Sequence, residues 1–181
     1  TYPEVWMLGT SNYGAQLAAY LGIPYCFAHF ITDGQGMKTA IDLYKSEFRP
    51  SKNFKKPLVN VCLWALTAKT EEEAKYLFAS RAAWKIGRNF DQLGPITDPD
   101  NAINIIHENN WQEQYEFMFK NSIVGEISKT KEKIMSLVDD NNIDEIAILT
   151  WCHNEKARIQ SYELFANEFN LNVKKTLQKT C

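Results

Sequence analysis

Val5 to Phe30 reads VWMLGTSNYGAQLAAYLGIPYCFAHF, and this stretch decides the fold. The apolar run Val5-Trp-Met-Leu8 predicts a buried strand that ends in Gly9-Thr-Ser-Asn12. From about Tyr13 to Leu21 the period changes: Leu17, Ala18 and Leu21 fall on one face of a helix, and Gly22 is its C-terminal stop. Tyr25 to Phe30 is apolar again and predicts a second strand. A strand that returns through a helix to another strand is a crossover unit, and its strands are parallel.

The same alternation runs outward along the chain. After a Gly34-Gln-Gly36 break, Met37, Ala40, Ile41 and Tyr44 carry the 3–4 spacing of an amphipathic helix. Leu58 to Leu66 predicts a third strand, apolar on both faces as a parallel strand under helices should be. Thr70-Glu-Glu-Glu73 forms a capping box that opens a helix to about Ile86, before Gly87. Arg88 to Asp100 holds two prolines and a glycine and is the least regular stretch. Asn101–Asn109 and Trp111–Lys120 predict short helices, and Glu126–Asn141 a longer one. Asp144–Thr150 is the fourth strand and Asn154–Phe169 the closing helix. Four β-then-α units satisfy either an open doubly wound sheet or part of a (β/α)8 barrel. A complete barrel takes about 250 residues, so 181 residues with four units are half of one. No repeat, low-complexity tract or linker divides the chain, and residues 1–181 are expected to form a single domain.

Twenty Lys+Arg against 22 Asp+Glu leave a net charge of −2, and 45% of residues are hydrophobic. That balance carries no basic stripe for nucleic acid; Lys55-Lys56 and Lys174-Lys175 read as solvated surface. No apolar run approaches the ~18 residues of a membrane helix. The chain starts on Thr1 and is expected in a strand by Val5, so no signal peptide is anticipated, and the terminus is either trimmed or cut from something longer. Cys26, Cys62, Cys152 and Cys181 lie far apart with no CxxC pair. They read as small hydrophobes rather than a disulfide framework, and the expected compartment is the cytoplasm.

The turn Gly9-Thr10-Ser11-Asn12-Tyr13-Gly14 places small hydroxylated residues directly before a helix. Its first amides and the helix dipole could hold a phosphate, and the same residues also make an ordinary N-cap. The glycine pattern is neither a Walker loop nor a dinucleotide fingerprint. His29 closes the second predicted strand and His153 follows the fourth, so in a barrel both would face the mouth at the C-terminal strand ends. Each could equally be a hydrogen-bonded structural histidine. Trp6, Trp64 and Trp151 fall in or beside strands, as core residues or as rings stacked on a flat cofactor. No HExxH, Cys/His cluster or EF-hand loop supports a metal site. Ser80 and Ser122 lack a nucleophile elbow, which argues against an α/β hydrolase.

Residues 8–30 resemble the bacterial luciferase-like flavin-dependent monooxygenases, over the second half of their barrel. The likeness continues through Tyr44-Lys-Ser-Glu-Phe-Arg-Pro50, Val59-Asn-Val-Cys-Leu-Trp-Ala-Leu-Thr-Ala68, Ile123-Val-Gly125 and Leu149-Thr-Trp-Cys-His153-Asn-Glu-Lys-Ala-Arg158-Ile-Gln-Ser-Tyr162. The resemblance implies an α/β chain that is the C-terminal half of a (β/α)8 barrel, four parallel βα units with a short helical insertion before the last strand. It implies FMN, reduced by a reductase or a nicotinamide, and oxidation of an aldehyde or other small organic with O2. Gly9, Thr10, Ser11, Tyr13 and Gly14 match the family's flavin-phosphate turn, while His29, Trp151 and His153 become pocket candidates. Everything matching the first four strands is absent. Half a barrel leaves open edges and an uncovered interior, so pairing with a second copy or with the missing N-terminal half is expected. A non-catalytic, flavin- or phosphate-binding, dimerising relative is the alternative, and a sugar-phosphate barrel fragment a weaker third.

Overall fold

The computed structural model describes residues 3–171; Thr1, the Lys174-Lys175 pair and Cys181 lie outside the described residues. The chain forms two compact units, residues 3–65 with 132–149, and residues 66–131 with 150–171. In order along the chain come β1 (Met7–Gly9), α1 (Asn12–Leu21), β2 (Tyr25–Phe27), α2 (His29–Thr32), α3 (Met37–Glu47) and β3 (Val59–Ala68). Then follow α4 (Glu71–Arg88), α5 (Pro99–Glu108), α6 (Gln112–Asn121), β4 (Ile123–Glu126), α7 (Ile127–Asn141), β5 (Glu145–Leu149) and α8 (Glu155–Glu168). Among these helices none is long and apolar enough to cross a membrane.

The first unit is a parallel sheet with helices on one face. β1 pairs with β2 (Leu8 beside Cys26), β2 with β3 (Cys26 beside Asn60), and β3 with β5 (Asn60 beside Glu145), all parallel. Because side chains alternate along a strand, Tyr25, Phe27, Val59, Val61 and Leu63 share one face, and all are fully buried. Ala15, Ala18 and Ala19 of α1 and Ala40, Ile41 and Tyr44 of α3 are buried with them. The small alanines let α1 approach the strands closely. Tyr44 ties the layers together: its hydroxyl donates to the Ile23 carbonyl and accepts from the Leu58 amide, each at 3.1 Å. The opposite face is not covered in this way. Leu8 is 57% exposed there, Glu145 is exposed, and Cys26, Asn60, Cys62 and Ala147 are half-buried.

The thiols on that open face are reluctant acids. Partial desolvation, aided by the neighbouring Cys62, pushes Cys26 up to about 11, and desolvation likewise raises Cys62. The Cys26 thiol donates to Asn60 Oδ1 at 3.2 Å. Cys26, Cys62 and Cys152 are all free.

The second unit is built around α4. Thr70 caps it by accepting from the Glu73 amide at 3.1 Å, and Glu73 reaches back to the Lys69 amide at 3.2 Å. The reciprocal arrangement expected of Thr70 and Glu73 is therefore present, with the carboxylate engaging the residue before the cap. Phe78, Ala79, Ser80, Arg81 and Ala82 are buried along α4, and Phe78 stacks on Tyr115 of α6 at 6.0 Å. Two elements differ from the sequence reading. β2 ends at Phe27, and the residues expected to continue it turn into α2 instead. A fifth strand, β4, pairs with β3 beyond the four that were expected. Four residues are too short to display a period, and Gly125 within them sits at φ 144°, a backbone region that favours glycine.

Candidate functional site

The β1–α1 turn is anchored from behind and open in front. The Gly9 carbonyl accepts from the Ala28 amide at 3.0 Å and from the Tyr25 hydroxyl at 3.2 Å, which fixes the end of β1 against β2. Ser11 is the N-cap, in extended conformation, and its Oγ accepts from the Gly14 amide at 3.2 Å. Gly22 closes α1 in the left-handed region, its amide directed at the Ala18 and Ala19 carbonyls. Ser11, Asn12 and Tyr13 are exposed, and Thr10 is half-buried beside them.

What that arrangement can bind follows from helix geometry. The first amides of a helix have no partner within it, so those of Asn12 and Tyr13 point outward with the positive end of the dipole. No acidic side chain occupies the first turn to neutralise it. A Cβ on Gly9 would meet nothing within 4 Å, and one on Gly14 only Ser11 Oγ at 3.6 Å, so the space in front of the turn is clear. Hydroxyls, free amides, partial positive charge and open space together fit a phosphate group. Gly9, Thr10, Ser11, Tyr13 and Gly14 thus come together as one turn.

His29 starts α2 in the same unit, one residue after the Ala28 amide that holds Gly9. It is half-buried, and its ring lies over Gly34, where a Cβ would come within 2.7 Å of Nε2. Gly34 is at φ 86°, so glycine is required there twice over.

Trp151 and His153 belong to the second unit. Trp151 is half-buried, with its ring edge against Trp84 at 5.1 Å and 73° and the Arg81 guanidinium 5.7 Å from its centroid. His153 is exposed. The Asp98 carboxyl is held below its usual range first by the Asn101 amide and least by His153.

Sequence reasoning weighed Ser80 only as a nucleophile and passed over Trp84. They sit four apart on α4 and line a cavity of about 200 Å³ together with the Gln92–Thr97 loop and Ile105. The signal was the i, i+4 spacing of a serine and a tryptophan on one helix face, immediately before an irregular stretch rich in proline and glycine.

No family model matches the chain. A luciferase-like monooxygenase of Escherichia coli (strain K12) is 32% identical to it over 161 residues, which are 88% of this chain and 48% of that protein. YceB, an uncharacterised protein of Bacillus subtilis (strain 168), is 30% identical over 178 residues, 93% of this chain and 51% of its own length. The crystal structure of apo-MsnO8 superposes with a TM-score of 0.82 at 26% identity, covering 94% of this chain and 52% of that one.

Over most of its length the chain is similar to a luciferase-like monooxygenase in sequence and to apo-MsnO8 in fold. It spans about half the length of the curated relatives it matches. The oxygenating constituent of 3,6-diketocamphane monooxygenase from Pseudomonas putida, solved with FMN, has a TM-score of 0.63 at 18% identity, over 93% of this chain and 48% of that one, and shows the fold alone. These luciferase-like neighbours are (β/α)8 barrels, and the parallel sheet of the first unit is the corresponding architecture.

Proposed function

We propose that this chain is the C-terminal, phosphate-binding half of an FMN-dependent luciferase-like monooxygenase of the cytoplasm, which oxidises a small organic substrate such as an aldehyde with O2 and reduced FMN. The observation that carries the reading is the open β1–α1 turn, in a chain whose relative named as a luciferase-like monooxygenase matches it across 88% of its residues. The Asn12 and Tyr13 amides and the Thr10 and Ser11 hydroxyls would hold the flavin phosphate, with the α1 dipole behind them. Gly9 keeps the approach clear, and the Ala28 and Tyr25 bonds to its carbonyl keep the turn from shifting under load. A bound reduced flavin supplies the two electrons for O2 activation, which no side chain of this protein can supply. His29, Trp151 and His153 remain the pocket residues of this proposal, for orienting a substrate and excluding water.

The uncovered sheet face bears on the partner. Leu8, Cys26, Asn60, Cys62 and Ala147 form a face that in a closed barrel would be interior, and β1 pairs on one edge only. Parallel sheets are normally covered on both faces. We therefore propose that this face packs against a complementary half, whether more of the same polypeptide, a separate chain or a second copy.

An FMN titration followed by flavin fluorescence tests the reading, with Thr10→Ala/Ser11→Ala as the comparison. Each lost hydrogen bond to the charged phosphate costs about 1.5–3 kcal/mol, or roughly ten- to 150-fold in affinity. Equal affinity in the double variant overturns the placement of the phosphate.

A further inference from the structure

The loop between α3 and β3 carries a charge that its surroundings do not balance. Residues 49–56 read Arg-Pro-Ser-Lys-Asn-Phe-Lys-Lys, four cations in eight residues with no acid among them, in a chain whose net charge is −2. Arg49, Lys52, Lys55 and Lys56 are all exposed. Lys38, Lys75, Lys129, Lys131 and Arg158 each pair with a carboxylate, whereas among the described residues no ion pair involves any of the loop cations. The loop is also held in shape. The Ser51 amide donates to the Phe54 carbonyl at 2.8 Å, Ser51 Oγ accepts from the Phe54 amide at 3.1 Å, and Lys55 Nζ donates to the Ser51 carbonyl at 2.7 Å. The Arg49 amide donates to the Ala19 carbonyl at 3.0 Å, and its guanidinium lies 4.6 Å from the centre of the Tyr20 ring. Binding at this loop therefore sacrifices little backbone freedom.

Beside the loop the surface is concave. A hollow of about 470 Å³ is lined by Pro3, Val5 and Ile23, together with Ser51, Asn53 and Phe54 of the loop itself. Its one charged wall residue is Glu4, whose Oε1 accepts from the Trp6 indole N–H at 2.6 Å. Two demands on an occupant follow. Anions are favoured along the loop, where like charges stand uncompensated, and a neutral apolar group is favoured in the hollow, where Glu4 repels another anion. The loop precedes β3 and so lies at the opposite end of the parallel sheet from the β1–α1 turn, which follows β1. An occupant here leaves the phosphate turn open.

We propose that this surface docks an acidic segment of a partner protein, its carboxylates against Arg49, Lys52, Lys55 and Lys56 and one apolar side chain seated in the hollow. A nucleic-acid strand fits less well, because it relies on open aromatic faces for stacking; Phe54 is half-buried, and Tyr20 already lies under Arg49. A lipid surface is met by apolar groups that protrude, whereas here they line a hollow. An acidic segment supplies both the anions and the anchor, and protein interfaces concentrate their affinity in such an anchored pocket with polar contacts at its rim. The inference does not depend on the monooxygenase reading.

The test uses the full chain and a rhodamine-labelled peptide of aspartates and glutamates around a single phenylalanine, read by fluorescence anisotropy. Saturable binding is expected, with the Phe54 and Lys55 amide resonances shifting. Raising the salt from about 0.05 M to about 0.5 M should weaken it, since exposed charges are screened. Lys52→Glu/Lys55→Glu/Lys56→Glu should weaken it about tenfold or more. Lys69→Glu/Lys120→Glu/Lys156→Glu makes the same change of net charge at other exposed positions and should leave binding within about threefold. A peptide with alanine in place of the phenylalanine should bind about tenfold more weakly, because nothing then fills the hollow. No saturable binding overturns the proposal, as does an equal loss in the two triple variants or equal affinity for the two peptides. An oligothymidylate strand that binds more tightly than the peptide assigns the loop to nucleic acid and overturns it as well.

Discussion

Replacing Ser11 by Asp separates the cap that the structure gives this residue from the phosphate contact proposed for it. Its hydroxyl caps α1 by accepting from the Gly14 amide at 3.2 Å, and the flavin phosphate proposed above would lie against it. Ser11→Ala loses both tasks. The lost cap costs about 1 kcal/mol, which in a chain of this size lowers Tm by about 2–4 °C. Aspartate is as good a cap as serine and adds charge that favours the helix N-terminus, so Ser11→Asp keeps its Tm or gains slightly. The same carboxylate places a negative charge beside the phosphate. Two unit charges about 4 Å apart repel by about 4 kcal/mol at an effective dielectric of 20. Solvent screening at this exposed turn reduces that figure, and more than tenfold loss of FMN affinity is still expected. Thermal melts and FMN titrations on the same preparations give the readout, with the Asn12 and Tyr13 amide resonances locating the effect. A Ser11→Asp chain that binds FMN within about threefold of the parent would refute the reasoning, since no phosphate could then lie against the turn.

Two further expectations follow from the structure. Gly22→Ala should destabilise the first unit severely, because position 22 is at φ 62° and a Cβ there collides with the Arg49 carbonyl oxygen. The backbone conformation alone costs about 1–2 kcal/mol for a residue with a Cβ, and urea melts would show the combined loss as a lowered midpoint. For Cys26, whose folded thiol is pushed up to about 11 from an ordinary 9.0, the unfolded chain ionises first as pH rises. Its contribution to stability is whole below about pH 9 and is lost on the way to pH 11. Site-resolved iodoacetamide labelling should accordingly find Cys26 and Cys62 slow at pH 8 in the native chain and fast in denaturant. Fast native labelling of Cys26 would contradict its environment.

How much of this was legible beforehand depends on the distance over which each feature is encoded. The Ser11 cap, the Gly22 stop, the Thr70–Glu73 box and the Met37, Ala40, Ile41, Tyr44 face of α3 each lie within a turn or two of helix. The residues that make them are neighbours in sequence, and all were readable. The alternation of apolar runs with helical segments likewise dictated parallel strands, because no short turn can join such strands. The candidate phosphate turn belongs to this class, since strand end, hydroxyls and helix start are contiguous.

Other features were settled by chain segments far apart in sequence. β4 is a strand because β3 lies beside it, and four residues around Gly125 carry no period that announces one. β2 stops at Phe27 although the apolar run goes on to Phe30, because Ala28 donates to Gly9 and the chain then turns into α2. The cavity at Ser80 exists only because the Gln92–Thr97 loop folds back onto α4, held by Trp84 and Gly87. Sequence alone determined where the longer helices lie and that the strands run parallel, since caps and periods act through adjacent residues. Tertiary structure alone decided which short run became a strand and which serine lost its partner, since those outcomes depend on what the folded chain brings alongside.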